Sequence, residues 1–203
     1  YSAEQFISNI IHKKMKCRYL YVSRNFKFGF KRRGNIQTLK KFEKQFNYKN
    51  IITNPYKKNK KIISSTFIRK KIRAGKIDEI NKLLNRKWCI EGKVIKGKKR
   101  GRKIGFPTCN MRINNYVVPK IGVYGVKVNF DNTNKDGIAN IGYRPTFKGQ
   151  SLLLETNIFG INKNLYNKVI RVSFKKFIRP EKKFRNIEYL KKQIKLDINQ
   201  AKK

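Results

Sequence analysis

The sequence predicts a parallel α/β segment followed by a small closed barrel of six antiparallel strands and a C-terminal helix. Three observations predict it. Helix and strand patterns alternate over the first third, as in a parallel sheet. From Trp88 on, short alternating apolar runs are separated by Gly and Asn turns, the pattern of a small antiparallel barrel. Arg185–Lys202 then returns to a helical period, with Ile187, Leu190, Ile194 and Ile198 on one face.

The chain opens on Ser2–Ala3–Glu4–Gln5, which reads as a helix start, with Ser2 as N-cap and Gln5 at the capping-box position. Phe6, Ile7, Ile10 and Ile11 supply its apolar face. Arg18–Ser23 is a strand, rich in aromatic and β-branched residues. NFKFGFKRRGN, residues 25–35, is a basic, Gly-punctuated loop. Thr38–Phe46 is a helix with Leu39, Phe42 and Phe46 on one side, and Tyr48–Thr53 a strand closed by Asn54–Pro55. Ser64–Ser65–Thr66 caps a helix through Ile72 that Gly75 stops, and Asp78–Leu84 is a further helix. A boundary falls near Asn85, which divides the chain into 1–84 and 85–203. The predicted barrel strands are Cys89–Ile95, Val117–Val118, Val123–Phe130, Gly137–Ile141, Leu152–Ile158 and Lys168–Phe174.

Lys and Arg number 52 against 11 Asp and Glu, a formal net charge of +41. Such a surface attracts any polyanion, and a nucleic-acid-binding barrel with Tyr116, Tyr124 and Tyr143 as stacking groups is the alternative reading. The cations, however, run from Lys13 to Lys203 without forming a patch, so the charge reads as diffuse residue usage and no specific nucleic acid is expected. Cys17, Cys89 and Cys109 form no C-x-x-C, which points to a reducing, cytoplasmic setting and away from a structural metal. No apolar run approaches membrane-spanning length, so no membrane partner is expected. A chain that opens at Tyr1 without Met implies that residues precede it.

Two places carry candidate chemistry. In KGKKRGRKIGFPTCN, residues 96–110, Gly97, Gly101 and Gly105 let backbone N–H groups approach an anion, and Lys98, Lys99, Arg100 and Arg102 add charge. Thr108 and Asn110 offer a hydroxyl and an amide oxygen two residues apart, a pair suited to a hard cation such as Mg²⁺. The pattern fits a basic hairpin loop equally well, and it is no Walker P-loop. Glu155 is an acid inside the apolar run LLLETNIF. Facing a cavity it can act as a general base; spacing alone also fits a strand-edge Glu paired with a lysine.

GRKIGFPTCN, GVYGVKV, ANIGYRPTF, LET and IRPEKKF, in this order, resemble the riboflavin kinase module that bacterial bifunctional FAD synthetases fuse to an FMN adenylyltransferase. The resemblance implies a six-stranded Greek-key barrel with a C-terminal helix over 85–203, transferring a phosphoryl group from ATP to riboflavin to give FMN. Thr108 and Asn110 would hold Mg²⁺–ATP under a flap from Gly97 to Gly105 that includes Gly101 and Arg102. Glu155 would be the base for the ribityl 5′-hydroxyl. Arg179, Glu181 and Phe184 would cover the flavin. Three positions depart from the family pattern: Cys109, Asn157 and Asn164, where alanine, histidine and aspartate are usual.

Residues 1–84 resemble the later part of the adenylyltransferase, a Rossmann-type nucleotidyltransferase-like fold. There NFKFGFKRRGN corresponds to a flavin loop, and ISSTFIR puts Ser64, Ser65, Thr66 and Arg69 at a nucleotide site. Read alone, Ser-Ser-Thr before a helix is an ordinary cap. The family's His-x-Gly-His is absent: His12 is the sole histidine, and Ser23, Asn25 and Asn35 replace a glycine and two aspartates. No adenylyl transfer is therefore expected from these residues.

Overall fold

The computed structural model describes residues 1–59, 61–97, 99–146, 149–161 and 163–203, with the side chains of Pro145, Thr146 and Gly149 left aside. Lys98, Phe147 and Lys148, which belong to the motifs KGKKRGRKIGFPTCN and ANIGYRPTF or adjoin them, lie outside the described residues. The chain divides into two compact units, Tyr1–Ser64 and Ser65–Lys203.

In the first unit, helix α1 (Ala3–Phe6) starts at the expected capping box. Ser2 Oγ accepts from the Gln5 N–H at 3.1 Å, and Gln5 Oε1 accepts from the Ser2 N–H at 2.9 Å. A π-helical stretch, Ile7–Lys14, continues it. Strands β1 (Tyr19–Ser23) and β2 (Lys49–Thr53) pair in parallel with Tyr21 opposite Ile51, as the helix–strand alternation requires. Helix α2 spans Ile36–Lys41, starting two residues before the sequence expectation because Asn35 is its cap: Asn35 Oδ1 accepts from the Thr38 N–H at 3.0 Å. Phe42 leaves helical geometry, so the predicted continuation to Phe46 is a turn. Ile7, Ile11, Val22, Phe28, Leu39 and Tyr48 form the core. A short hairpin, β3 (Lys57–Lys58) with β4 (Lys61–Ile62), completes the unit.

Tyr48 gives this core an alkaline limit. Its hydroxyl donates to the Leu39 carbonyl at 2.6 Å, and burial pushes its pKa up to about 12 from 10.0. Because the folded value is raised, the stabilisation is complete below pH ~10 and is lost as pH rises towards ~12. Tyr48→Phe should cost about 1 kcal/mol at neutral pH and remove that alkaline decline, read by urea denaturation across the range.

In the second unit, α3 (Ser65–Arg73) and α4 (Ile77–Leu84) precede the barrel strands. Gly75, at φ +73°, separates the helices, and Asn85, left-handed at φ +50°, ends α4. Ile72, Ile77 and Ile80 enter the same core cluster as Trp88 and Phe174, which explains why the compact unit begins at Ser65. Asn81 fastens α4 to the sheet: its Nδ2 donates to the Phe174 carbonyl at 2.9 Å and its Oδ1 accepts from the Trp88 N–H at 2.8 Å.

The barrel strands are β5 (Cys89–Lys93), β6 (Cys109–Arg112), β7 (Gly122–Phe130), β8 (Thr133–Thr146), β9 (Gly149–Ile158) and β10 (Val169–Arg179). A four-residue helix, α5 (Arg100–Lys103), lies between β5 and β6. The sheet order is β5-β10-β7-β8-β9-β6, all antiparallel, and an Ile95–Asn110 bridge draws its two edges together. The β7–β8–β9 meander with β6 returning beside β9 is the Greek-key element of the expectation.

The sixth strand is Cys109–Arg112, not the predicted Val117–Val118. The two valines precede Pro119 and find no ladder partner among the described residues, so Val117 packs on the core from a coil. Helix α6 (Ile187–Lys202) is capped by Asn186 and packs on the outer face, with Ala201 against Gly125. Its buried residues are Asp197 and Ala201, whereas Ile187, expected on the apolar face, is 58% exposed.

Candidate active site

Strand alternation sorts the barrel residues by face. Met111, Ala139, Ile141, Leu154 and Thr156 are buried to 0–1% exposure and point inward. Their neighbours Asn110, Asn140 and Glu155 therefore point outward. Register aligns those three: Asn110 on β6 and Asn140 on β8 are both paired directly with Glu155 on β9. Directly opposed residues hold their Cβ atoms roughly 4.5–5.5 Å apart. An amide, a carboxylate and an amide thus form one row across the outer surface of the sheet.

The chain covers this row from two sides. After Ile95, whose N–H donates to the Asn110 carbonyl at 2.8 Å, the backbone passes over the Asn110 side chain. A Cβ on Gly97 would lie 2.5 Å from Asn110 Nδ2, so glycine permits the approach, and Asn110 is only 8% exposed. From the other side Glu181 reaches the row out of the coil after β10. Its Oε1 accepts from Asn140 Nδ2 at 2.7 Å and from Arg144 Nη1 and Nη2 at 3.1 Å each. A Cβ on Gly142 would collide with Glu181 Oε1 and lie 2.8 Å from Arg144 Nη1.

Arg144 is the centre of the arrangement. Its Nε and Nη2 donate to Glu155 Oε1 and Oε2, each at 3.3 Å, so one guanidinium holds both carboxylates. Burial pulls the guanidinium pKa down, but the bonds to Glu155 and Glu181 outweigh it and leave it above its ordinary value. Carboxylate oxygens only accept, so the Asn140 atom facing Glu181 is nitrogen; its Oδ1 is buried with no partner among the described residues.

The other expected residues lie nearby or elsewhere. Gly101 and Arg102 belong to α5, and Gly105 comes just after it, so part of the expected flap is a helical turn. Thr108 is exposed just ahead of β6, and Asn157 Nδ2 donates to the Pro107 carbonyl at 2.7 Å, tying that approach to β9. Thr108, Arg102, Lys163 and the inward-facing Thr156 line a cleft whose other walls include Tyr166. Asn164 Oδ1 accepts from the Tyr166 N–H at 3.0 Å, so asparagine here closes a turn. Burial pushes the Cys109 thiol up, which keeps it neutral.

Arg179 does not join the row. Its side chain, 13% exposed, is paired with Asp197 of α6, and its Cζ lies 5.7 Å from the Phe184 ring centroid. Ser65 and Thr66 open α3, with Ser64 just before them and Arg69 exposed one turn on. Of the three tyrosines offered for base stacking, Tyr124 is fully buried and donates to the Lys120 carbonyl.

Among the described residues no helix is long and apolar enough to cross a membrane. The riboflavin kinase family model matches residues 84–203, and the FAD synthetase model matches residues 1–67. A bifunctional riboflavin kinase/FMN adenylyltransferase of Buchnera aphidicola subsp. Schizaphis graminum is 43% identical over 206 residues, covering 100% of this chain and 66% of that one. A protein of the same description from Haemophilus influenzae is 37% identical over 201 residues, covering 98% and 65%. The chain thus spans about two thirds of the length of these curated relatives. A crystal structure of a macrolide-efflux protein from Streptococcus pneumoniae has a TM-score of 0.82 at 31% identity, covering 99% of this chain and 65% of that one.

Proposed function

We propose, from the fact that this chain belongs to the riboflavin kinase family, that its barrel transfers the γ-phosphoryl group of ATP to the 5′-hydroxyl of riboflavin and releases FMN and ADP. The observation that carries the reading is the register that sets Glu155 directly beside Asn110, with Arg144 holding its carboxylate. Residues 85–203 make up the kinase. Residues 1–84 are the adenylyltransferase-like part, where Ser64, Ser65, Thr66 and Arg69 are a remnant nucleotide site. The three free thiols fit a reducing compartment, and we place the reaction in the cytoplasm.

Chemistry assigns the roles. Arg144 occupies one acceptor position on each Glu155 oxygen, and a carboxylate has others. Glu155 takes the 5′-hydroxyl proton on one of these as that oxygen bonds to the γ-phosphorus and the bond to the β-phosphate oxygen breaks. The nucleotide lies along the cleft of Arg102, Thr108 and Lys163. Gly97, Gly101 and Gly105 bring flap backbone towards its phosphates. Thr108 and Asn110 fit Mg²⁺, because a hydroxyl and an amide oxygen are the donors that ion takes. When bound, the ion neutralises charge on the β- and γ-phosphates. Glu181 and Phe184 face the flavin from the coil after β10, and Arg179 anchors that coil.

The test is product analysis after incubation with riboflavin and Mg²⁺–ATP. FMN is the expected product; unchanged riboflavin under single-turnover conditions overturns the reading. Flavin bound without turnover would identify a carrier, and salt-sensitive RNA binding without any flavin effect would favour the nucleic-acid alternative.

A further inference from the structure

Arg179 ends β10 beyond two register irregularities, which leave it opposite Val123 with its side chain on the outer face under α6. There it meets Asp197. Arg179 Nε donates to Oδ1 at 2.9 Å and to Oδ2 at 3.0 Å, and Nη2 donates to Oδ2 at 2.7 Å. Gln193 Nε2, one turn earlier on α6, donates to Oδ1 at 2.9 Å. Asp197 is only 2% exposed. A buried pair of this kind contributes little net stability, because desolvation offsets the attraction and apolar packing would serve as well. Its use lies in orientation.

The remaining contacts of the same guanidinium indicate what is oriented. Nη1 donates to the Pro180 carbonyl at 2.9 Å, and Phe184 lies against its face. One side chain therefore grips both ends of the coil 180–184. The middle of that coil carries Glu181 to Asn140 and Arg144. We infer that Asp197, on the C-terminal helix, is a positioning residue for the flavin side of the site: it fixes Arg179, Arg179 folds the coil, and the coil sets Glu181 against the Arg144–Glu155 pair. The kinetic consequence rests on the kinase reading; the ordering of the coil does not.

Asp197→Asn is expected to raise the riboflavin KM by about tenfold while the ATP KM stays within about twofold, as misplacement of a substrate-facing segment does. Loss of folded enzyme alone would lower Vmax and leave both KM values unchanged, and that result overturns the inference. Gln193→Leu removes only the amide donor to Asp197 and should move the riboflavin KM the same way by about two- to threefold; it decides the matter if Asp197→Asn does not fold. Amide exchange over residues 180–184 is the readout without turnover. Faster exchange in the variants supports the ordering role even in a chain that makes no FMN, a result that would sink only the kinase reading. Exchange as slow as in the parent chain overturns the role whatever the activity.

Discussion

Glu155→Gln is expected to lower FMN formation by about 10²–10⁴-fold while flavin affinity, read by fluorescence quenching, changes by less than about threefold. Glutamine keeps the length and shape of the side chain. Its amide oxygen can still accept one N–H from Arg144, so the row from Asn110 to Asn140 stays filled. What it lacks is the capacity to take a proton. The neighbouring residues offer no replacement. Asn110 and Asn140 carry neutral amides, Cys109 is held as a neutral thiol, and Glu181 is fastened to Asn140 and Arg144 at the opposite end of the row from Asn110. Turnover near that of the parent chain would remove Glu155 as the base and return it to the bland role of a strand glutamate balanced by a cation.

The sequence revealed the barrel more readily than the face that carries the candidate site, and particular residues show why. Inward positions such as Leu154, Thr156 and Ile158 alternate with outward ones, so the period of two is visible wherever the inner residues are apolar. On β8 that signal stops at Ile141, because Asn140, Gly142 and Arg144 face outward and no aliphatic residue lies between Ile141 and the strand's end. The strand runs on to Thr146, held by its ladder with β9. Ending it at Ile141 hid the fact that Asn140 and Arg144 share the face of Glu155. The motif ANIGYRPTF already held both residues, and two-residue spacing extended through it would have found them. Val117–Val118 failed in the opposite sense, since β-branched residues favour a strand only where a neighbouring strand is available. Asp197 could not have been found: an acid on an amphipathic helix reads as solvated, and only the bulged end of β10 brings Arg179 to it. The same arginine shows the limit of a family match. The motif finds the residue but not the direction of its side chain.

Arg144→Met is the second large effect, an expected loss of about 10²-fold in kcat, the scale of an ångström-sized misplacement of a reacting group. Among the described residues, Arg144 is the cation that the hydrogen bonds of the row place between Glu155 and Glu181. The variant removes it and leaves two carboxylates that had shared it to repel each other. Arg144→Lys should recover part of the rate, to within about tenfold of the parent chain. A lysine restores the charge, but as a single point it cannot span Glu155 Oε1, Glu155 Oε2 and Glu181 Oε1 in one plane. The double variant Arg144→Met/Glu181→Gln separates two ways the arginine can act. If it works by holding the carboxylates apart, removing the second carboxylate relieves the repulsion and the double variant outperforms Arg144→Met. If it works by contact with the transferring phosphoryl group, the double variant is no better than the single one. Turnover of Arg144→Met close to that of the parent chain excludes both, and would mean that Glu155 finds its working position without the guanidinium that holds it.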